Sequence, residues 1–155
     1  MTIKRFFKKC EEFTICSEIG DAGDYFLDGY PDNYTIYHIL LKGSGKLGAP
    51  YESEYLEDGP YVLVNTKQYL YKQRIYYGSE DFHIVGFNPL RPEHDWDGRL
   101  VTESFTGDNK SWLICFDGNP VVNGKKLSRW DYAKLETKEY DIQLDGGCLG
   151  LFTRL

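Results

Sequence analysis

The 155-residue sequence predicts an all-β protein of the sandwich or barrel type. Three observations predict it. Short runs rich in Val, Ile, Thr and aromatic residues recur along the chain, separated by Gly, Asn, Asp and Pro. Aromatic residues reach 16% and apolar residues 41%, which excludes a disordered chain and leaves enough apolar mass for a core. Finally, Tyr61-Val-Leu-Val-Asn-Thr-Lys-Gln-Tyr69 and Tyr132-Ala-Lys-Leu-Glu-Thr-Lys-Glu-Tyr140 share Tyr, Thr, Lys and Tyr at matching positions. An internal repeat sets architecture, and this one predicts two copies of one β unit. Upstream of each copy, an Asp-Asn pair (Asp32-Asn33, Asp108-Asn109) leads into an apolar run that stops at Gly43 or Gly118.

The elements follow in order. Ile3, Phe6, Phe7, Cys10 and Phe13 recur at spacings of three and four, with Lys and Glu between them. That spacing predicts an amphipathic helix over 3–13, capped by Thr2, as part of an N-terminal arm over 1–18. Residues 17–33 read as loop with a short strand at 25–27. Strands are predicted at 34–41, 54–56, 61–64, 69–77 and 82–87, forming a first unit over 19–90. Gly43-Ser-Gly45 reads as a hairpin turn. Segment 88–98, the longest stretch with no predicted strand, is the predicted joint. A second unit over 91–155 carries strands at 100–105, 112–116, 120–122, 126–127, 132–135, 140–144 and 148–153, packed with the first as one globular domain. Asn123-Gly124 is a strong hairpin signal, because both residues tolerate positive φ.

Composition limits function. The net charge of −6 disfavours general nucleic-acid binding. No apolar run is long enough to span a membrane, and the start lacks a secretory-signal pattern. The four cysteines show no paired spacing, so they read as reduced thiols of a cytoplasmic protein rather than a zinc site. Neither a nucleophile elbow nor a P-loop nor a dinucleotide-binding motif is present.

The stretches Tyr37-His-Ile-Leu-Leu-Lys-Gly-Ser-Gly-Lys-Leu47 and Tyr55-Leu-Glu-Asp-Gly-Pro-Tyr-Val-Leu-Val64 resemble the glycine-punctuated strand pattern of the cupin superfamily. In the second copy the resemblance rests on Trp112-Leu-Ile-Cys-Phe-Asp-Gly118, Val122-Asn-Gly-Lys-Lys-Leu127 and Asp131-Tyr-Ala-Lys-Leu135, and on the closing stretch 140–152. It covers most of residues 34–155. It implies a double-stranded β-helix barrel, here two degenerate tandem copies behind the N-terminal helix. Many cupins hold a metal with a His-x-His pair, a Glu and a later His. In this chain those positions hold Tyr30, Asp32 and Ile36 in the first copy and Phe105, Gly107 and Ser111 in the second. The later His falls near Tyr69 and Tyr140. The resemblance therefore implies a cupin without that metal triad, and no metal or other cofactor is expected.

The chain has three His. His38, on a strand, and His94, in a loop between two carboxylates, are candidate acid–base groups, with Tyr69 as a candidate partner. Tyr37, His38, Tyr69, Tyr71, Arg74, Trp112 and Tyr140 are candidate ligand contacts, because aromatic rings with hydroxyl groups suit a sugar or nucleobase. Lys67, Lys72, Arg74, Arg99 and Lys138 are candidate anion-binding groups. Three functional readings stay open. The first is a metal-independent protein that binds or sequesters a sugar, sugar phosphate or nucleotide-like molecule in an aromatic pocket. The second is a metal-free epimerase or isomerase using a His/Tyr pair. The third is a protein–protein interaction module; a homodimer is compatible with each.

Overall fold

A computed structural model describes residues 4–21, 23–28, 35–43, 45–49, 52–56, 61–65, 73–78, 80–91, 93–107, 110–136 and 139–155. For 23–28, 45–49, 52–56 and 73–78 the description covers the backbone. Every regular element among these residues is a strand. No helix among them is long and apolar enough to cross a membrane. The chain divides into two compact units, Met1–Pro92 and Glu93–Leu155.

The first unit holds β1 (Lys4–Lys9), β2 (Phe13–Gly20), β3 (Gly23–Asp28), β4 (Tyr37–Lys42), β5 (Gly45–Ala49), β6 (Glu52–Leu56), β7 (Val62–Asn65), β8 (Gln73–Gly78) and β9 (Phe82–Pro89). One sheet runs β1-β2-β9-β4-β7 and the other β3-β8-β5-β6. The second unit holds β10 (Trp96–Val101), β11 (Phe105–Gly107), β12 (Ser111–Asp117), β13 (Val121–Val122), β14 (Lys125–Lys126), β15 (Tyr132–Leu135), β16 (Tyr140–Gln143) and β17 (Cys148–Arg154). Its sheets run β10-β17-β12-β15 and β11-β16-β13-β14. All pairings are antiparallel.

Set aside β1, and the two units have one topology. The first unit's β2-β9-β4-β7 and β3-β8-β5-β6 map strand by strand, in chain order, onto the second unit's two sheets. The match reaches backbone detail. A bulge interrupts β4 between Leu40 and Lys42, and another interrupts β12 between Cys115 and Asp117. After each bulge a glycine takes positive φ, +92° at Gly43 and +83° at Gly118. A Cβ on Gly118 would press on the Gly146–Gly147 backbone, so glycine is required there for space as well as for φ.

The expected N-terminal helix is not formed. Residues 4–9 and 13–20 are paired strands, with Phe7 opposite Cys16. A helix would set Phe6, Phe7, Cys10 and Phe13 on one stripe. The sheet instead buries Phe13 and Cys10 and leaves Phe6 and Phe7 exposed. Pairing along β2 outweighs the weak local preference for a helix. Two further expectations are corrected. Gly43-Ser-Gly45 is not a hairpin, because β4 pairs with β7 and β9 while β5 pairs with β6 and β8; the glycines mark a passage between sheets. Segment 88–98 is not strand-free, since β9 runs to Pro89 and β10 begins at Trp96. Asn123-Gly124 does close the β13–β14 hairpin, with φ of +49° and +81°.

The second unit's core joins its two sheets. Val101, Leu113, Cys115, Leu149 and Leu151 from one sheet meet Val122, Tyr140 and Ile142 from the other, with Leu127 and Leu135. Each such aliphatic side chain contributes roughly 1.5–3 kcal/mol on burial. This core fixes which face of the β10-β17-β12-β15 sheet points inward.

Candidate functional site

Residues directly opposite one another on antiparallel strands share a face, and successive residues alternate. In the second unit one inward row runs Arg99–Leu151–Leu113–Ala133, and the next contains Val101, Leu149 and Cys115. The matching rows of the first unit run Cys16–Gly86–His38–Val64 and Glu18–Ile84–Leu40–Val62. Where the second unit has Val101, Leu113 and Leu151, the first has Glu18, His38 and Gly86. Three aliphatic side chains are exchanged for a carboxylate, an imidazole and a bare backbone.

The polar character extends along this face. Glu18 is buried (4% exposed) and accepts from Arg5 Nε at 3.2 Å, Arg5 being delivered by β1, the strand with no counterpart in the second unit. The Cys16 thiol donates to the other Glu18 oxygen at 3.6 Å. Burial, then the Glu18 carboxylate beside it, pushes that thiol up to about 12, so it stays protonated at neutral pH and is a poor nucleophile. Thr35 Oγ1 donates to Asn88 Oδ1, and Asn88 Nδ2 donates to the Thr14 carbonyl at 3.2 Å. Gly86 makes room for this pair: a Cβ there would stand 3.1 Å from the Thr35 methyl. His38, Thr14, Thr35 and Asn88 are all buried. Buried polar groups are costly to desolvate, so a cluster of them in a sandwich interior is unusual unless it has work to do.

The opposite face of the same sheet is apolar, with Phe13, Ile15, Tyr37, Ile39, Val85 and Phe87 all buried. On that face Ser17 Oγ and His83 Nε2 share a hydrogen bond of 2.6 Å.

Of the residues singled out from sequence, His38 therefore sits in the polar row, and Tyr37, its chain neighbour, lies on the other face against Phe87. Trp112 occupies the position matched to Tyr37, again on the face away from the core, with Tyr132 at 5.9 Å and the Lys134 ammonium 5.2 Å from its ring centroid. Tyr140 belongs to the second unit's core and packs edge-on to Phe105. His94 lies half-buried in the turn before β10, and Arg99 is exposed over the Phe105 ring. Tyr69, Tyr71, Lys67, Lys72 and Lys138 lie outside the described residues; Arg74 is described as backbone within β8. Sequence reasoning missed Arg5, Cys16, Glu18, Thr35 and Asn88. The available signal was Glu18 itself, a carboxylate inside an otherwise apolar run.

A separate groove of about 660 Å³ opens on the second unit, lined by Thr106, Gly107, Asn123, Glu139, Tyr140 and Asp141. Glu139 and Asp141 are exposed there and set an acidic rim, which repels anionic ligands.

No family model matches the chain, and no curated protein matches it. Solved structures do match. The bacterial pirin YhhW from Escherichia coli, in complex with nickel(II), superposes with a TM-score of 0.61 at 12% identity, covering 99% of this chain and 90% of that one. HutD from Pseudomonas fluorescens SBW25 gives 0.53 at 13%, covering 92% and 78%. A cupin 2 conserved barrel domain protein from Leptotrichia buccalis gives 0.51 at 8%, covering 99% and 89%. The fold is the cupin fold.

Metal is a common resident of cupin barrels, and the polar face tests whether one fits here. Among the described residues no three His, Cys, Asp or Glu side chains converge to hold an ion. Glu18 is engaged by Arg5 and Cys16, and the Cys16 thiol keeps its proton. The described donors on this face, Cys16 and Glu18 engaged with each other and with Arg5, do not form a three-ligand metal centre.

Proposed function

We propose that this cupin-fold chain binds a small polar molecule, without a metal, against the Cys16–Glu18–His38–Asn88 face of its first unit. The observation that carries the reading is the exchange of Val101, Leu113 and Leu151 in one unit for Glu18, His38 and Gly86 in the other. One unit keeps a packed apolar core, and its topological twin keeps hydrogen-bonding groups in the same place. We further propose that the units are diverged copies of one eight-stranded ancestor; their common strand order and paired bulges support this.

The ligand class is a hydroxyl-rich molecule of sugar, sugar-phosphate or nucleotide type. An imidazole, a carboxylate, an amide and two threonine hydroxyls supply both donors and acceptors. Arg5, at the half-exposed rim, adds a cation suited to a phosphate or carboxylate. Among the described residues this face offers mainly hydrogen bonds, with Phe7 opposite Cys16 as its one exposed ring, while Tyr37 lies on the other face.

Thermal unfolding of the full chain against a panel of sugars, sugar phosphates and nucleotides tests the proposal. A true ligand at a hundred times its Kd adds about 2.7 kcal/mol of stability. Stabilisation that disappears in His38→Leu supports the reading. No stabilisation by any member, or stabilisation unchanged in that variant, counts against it.

A further inference from the structure

Four strands end the first unit's two sheets, β1 and β7 in one and β3 and β6 in the other, and of these β1 and β6 carry opposite charge. β1 closes one side of the five-stranded sheet and, among the described residues, pairs only with β2. Its sequence is Lys-Arg-Phe-Phe-Lys-Lys, four cations in a chain of net charge −6. β6 closes one side of the four-stranded sheet and, among the described residues, pairs only with β5. Its sequence is Glu-Ser-Glu-Tyr-Leu, with Glu52 and Glu54 at positions that share one face.

Sheet edges are templates for further strands, and lysines there usually guard against pairing. The guard is selective. If β1 lies antiparallel on the β1 of a second copy, Lys4 and Arg5 oppose Lys9 and Lys8, and like charges directly opposite are repulsive. β6 on β6 sets acidic positions beside acidic positions. Of these three pairings, β1 on β6 is the one that sets opposite charges across the new ladder. The same place also holds three of the four large apolar side chains exposed among the described residues: Phe6 and Phe7 on β1, and Ile19 beside Lys4 on β2. Phe6 and Phe7 project from opposite faces of β1, so neither face is an apolar plane for a lipid surface. A strand added at the edge lies beside both rings.

We propose that copies of this chain associate head to tail, the basic edge β1 of one copy pairing with the acidic edge β6 of the next. Such an interface joins two different patches, so it produces a ring or an open chain of copies rather than a two-fold dimer.

Sedimentation equilibrium of the full chain tests this, with Lys4→Glu/Lys8→Glu and Glu52→Lys/Glu54→Lys as variants. Wild type is expected to gain mass with concentration at low ionic strength and to lose that gain in salt. Each variant alone should associate more weakly by about tenfold or more, since the altered positions, 4 and 8 on one face of β1 or 52 and 54 on one face of β6, then carry the sign of the edge they would meet. An equimolar mixture of the two variants should regain the association, because one supplies acidic edges and the other basic ones. A wild type that stays monomeric at high micromolar concentration overturns the proposal. So does association that salt or both variants leave unchanged, or a mixture that regains nothing. Circular dichroism establishes that each variant is folded; if one is not, the salt dependence of the wild type decides.

Discussion

Tyr61 and Trp130 occupy one position in two sheets. Tyr61 takes φ of +72° and donates its amide N–H to the Leu40 carbonyl at 2.7 Å. Trp130 takes φ of +70° and donates to the Cys115 carbonyl at 2.8 Å. Leu40 and Cys115 each begin a bulge. In each case an aromatic residue accepts a backbone conformation that costs non-glycine residues roughly 1–2 kcal/mol. The Trp130 ring offsets that cost by packing on Phe116, at 6.2 Å, and under Arg129, whose guanidinium lies 5.5 Å from its centroid.

Trp130→Ala keeps the backbone cost and loses the ring, so it should destabilise the protein by about 2–3 kcal/mol. Trp130→Gly loses the same ring but relieves the backbone, and should recover about 1 kcal/mol of the loss. Urea unfolding of both variants checks the order. Equal stability of the two would show that φ at 130 carries no strain.

His38→Leu copies into the first unit the residue that stands at the matched position of the second. Replacing a buried polar side chain by an apolar one of similar size is often neutral or stabilising. Its unfolding free energy should therefore stay within about 1 kcal/mol of wild type or rise. A large loss of stability would instead make His38 a structural residue.

Arg5 and Glu18 form a half-exposed pair, with side chains 39% and 6% exposed. Arg5→Ala should cost about 1–2 kcal/mol, below the cost for a fully buried pair, because solvent still reaches the guanidinium. Arg5→Ala/Glu18→Gln should regain part of that loss, since no carboxylate is then left buried. A double-mutant cycle with no coupling would remove the pair from the account of this face.

Gly107 lies where a Cβ would overlap the ring and hydroxyl of Tyr140. Gly107→Ala should destabilise by about 1–3 kcal/mol through overpacking. Adding Tyr140→Leu should lessen that cost, because the clash goes with the ring. Failure of the second change to help would show that the ring is not what crowds position 107.

All four cysteines are buried free thiols. Burial pushes them up from 9.0, Cys10 and Cys115 to about 11, and Cys16 and Cys148 to about 12. Between those values the folded chain holds protons that the unfolded chain has released. Stability contributed by the neutral thiols is therefore full below pH 9 and falls as pH rises toward 11 and 12. The slope reaches about 1.4 kcal/mol per pH unit for each thiol. Unfolding free energies from pH 7 to 11 check the direction, and Cys148→Ala should flatten the curve.

Much of the fold could be read from residue order, and the site much less. Strand-rich runs, the Asn123-Gly124 hairpin and the two glycines at 43 and 118 were legible because each rests on local chemistry. The repeat aligned Tyr61 with Tyr132, whereas the paired strands align Tyr61 with Trp130. Side-chain identity misled because tyrosine is frequent here, and equivalence is set by the backbone at the bulges. The helix expectation failed for the reason that apolar spacing over eleven residues cannot reveal a waiting strand partner. Tyr37 and His38 looked like one pocket, yet alternation sends them to opposite faces. The face that Glu18, Asn88 and Gly86 build comes from strands far apart in the chain, and only their register brings them into one row.

The concealment of all four thiols also has a practical consequence. Native cysteines at 3% exposure or less present almost no surface to a maleimide or a nitroxide reagent. A single cysteine introduced on the exposed β14 hairpin, at Lys125 for example, would be the position that takes up label in the folded protein. Fluorescent or paramagnetic reporters can then be attached without first stripping sulfur from the two cores.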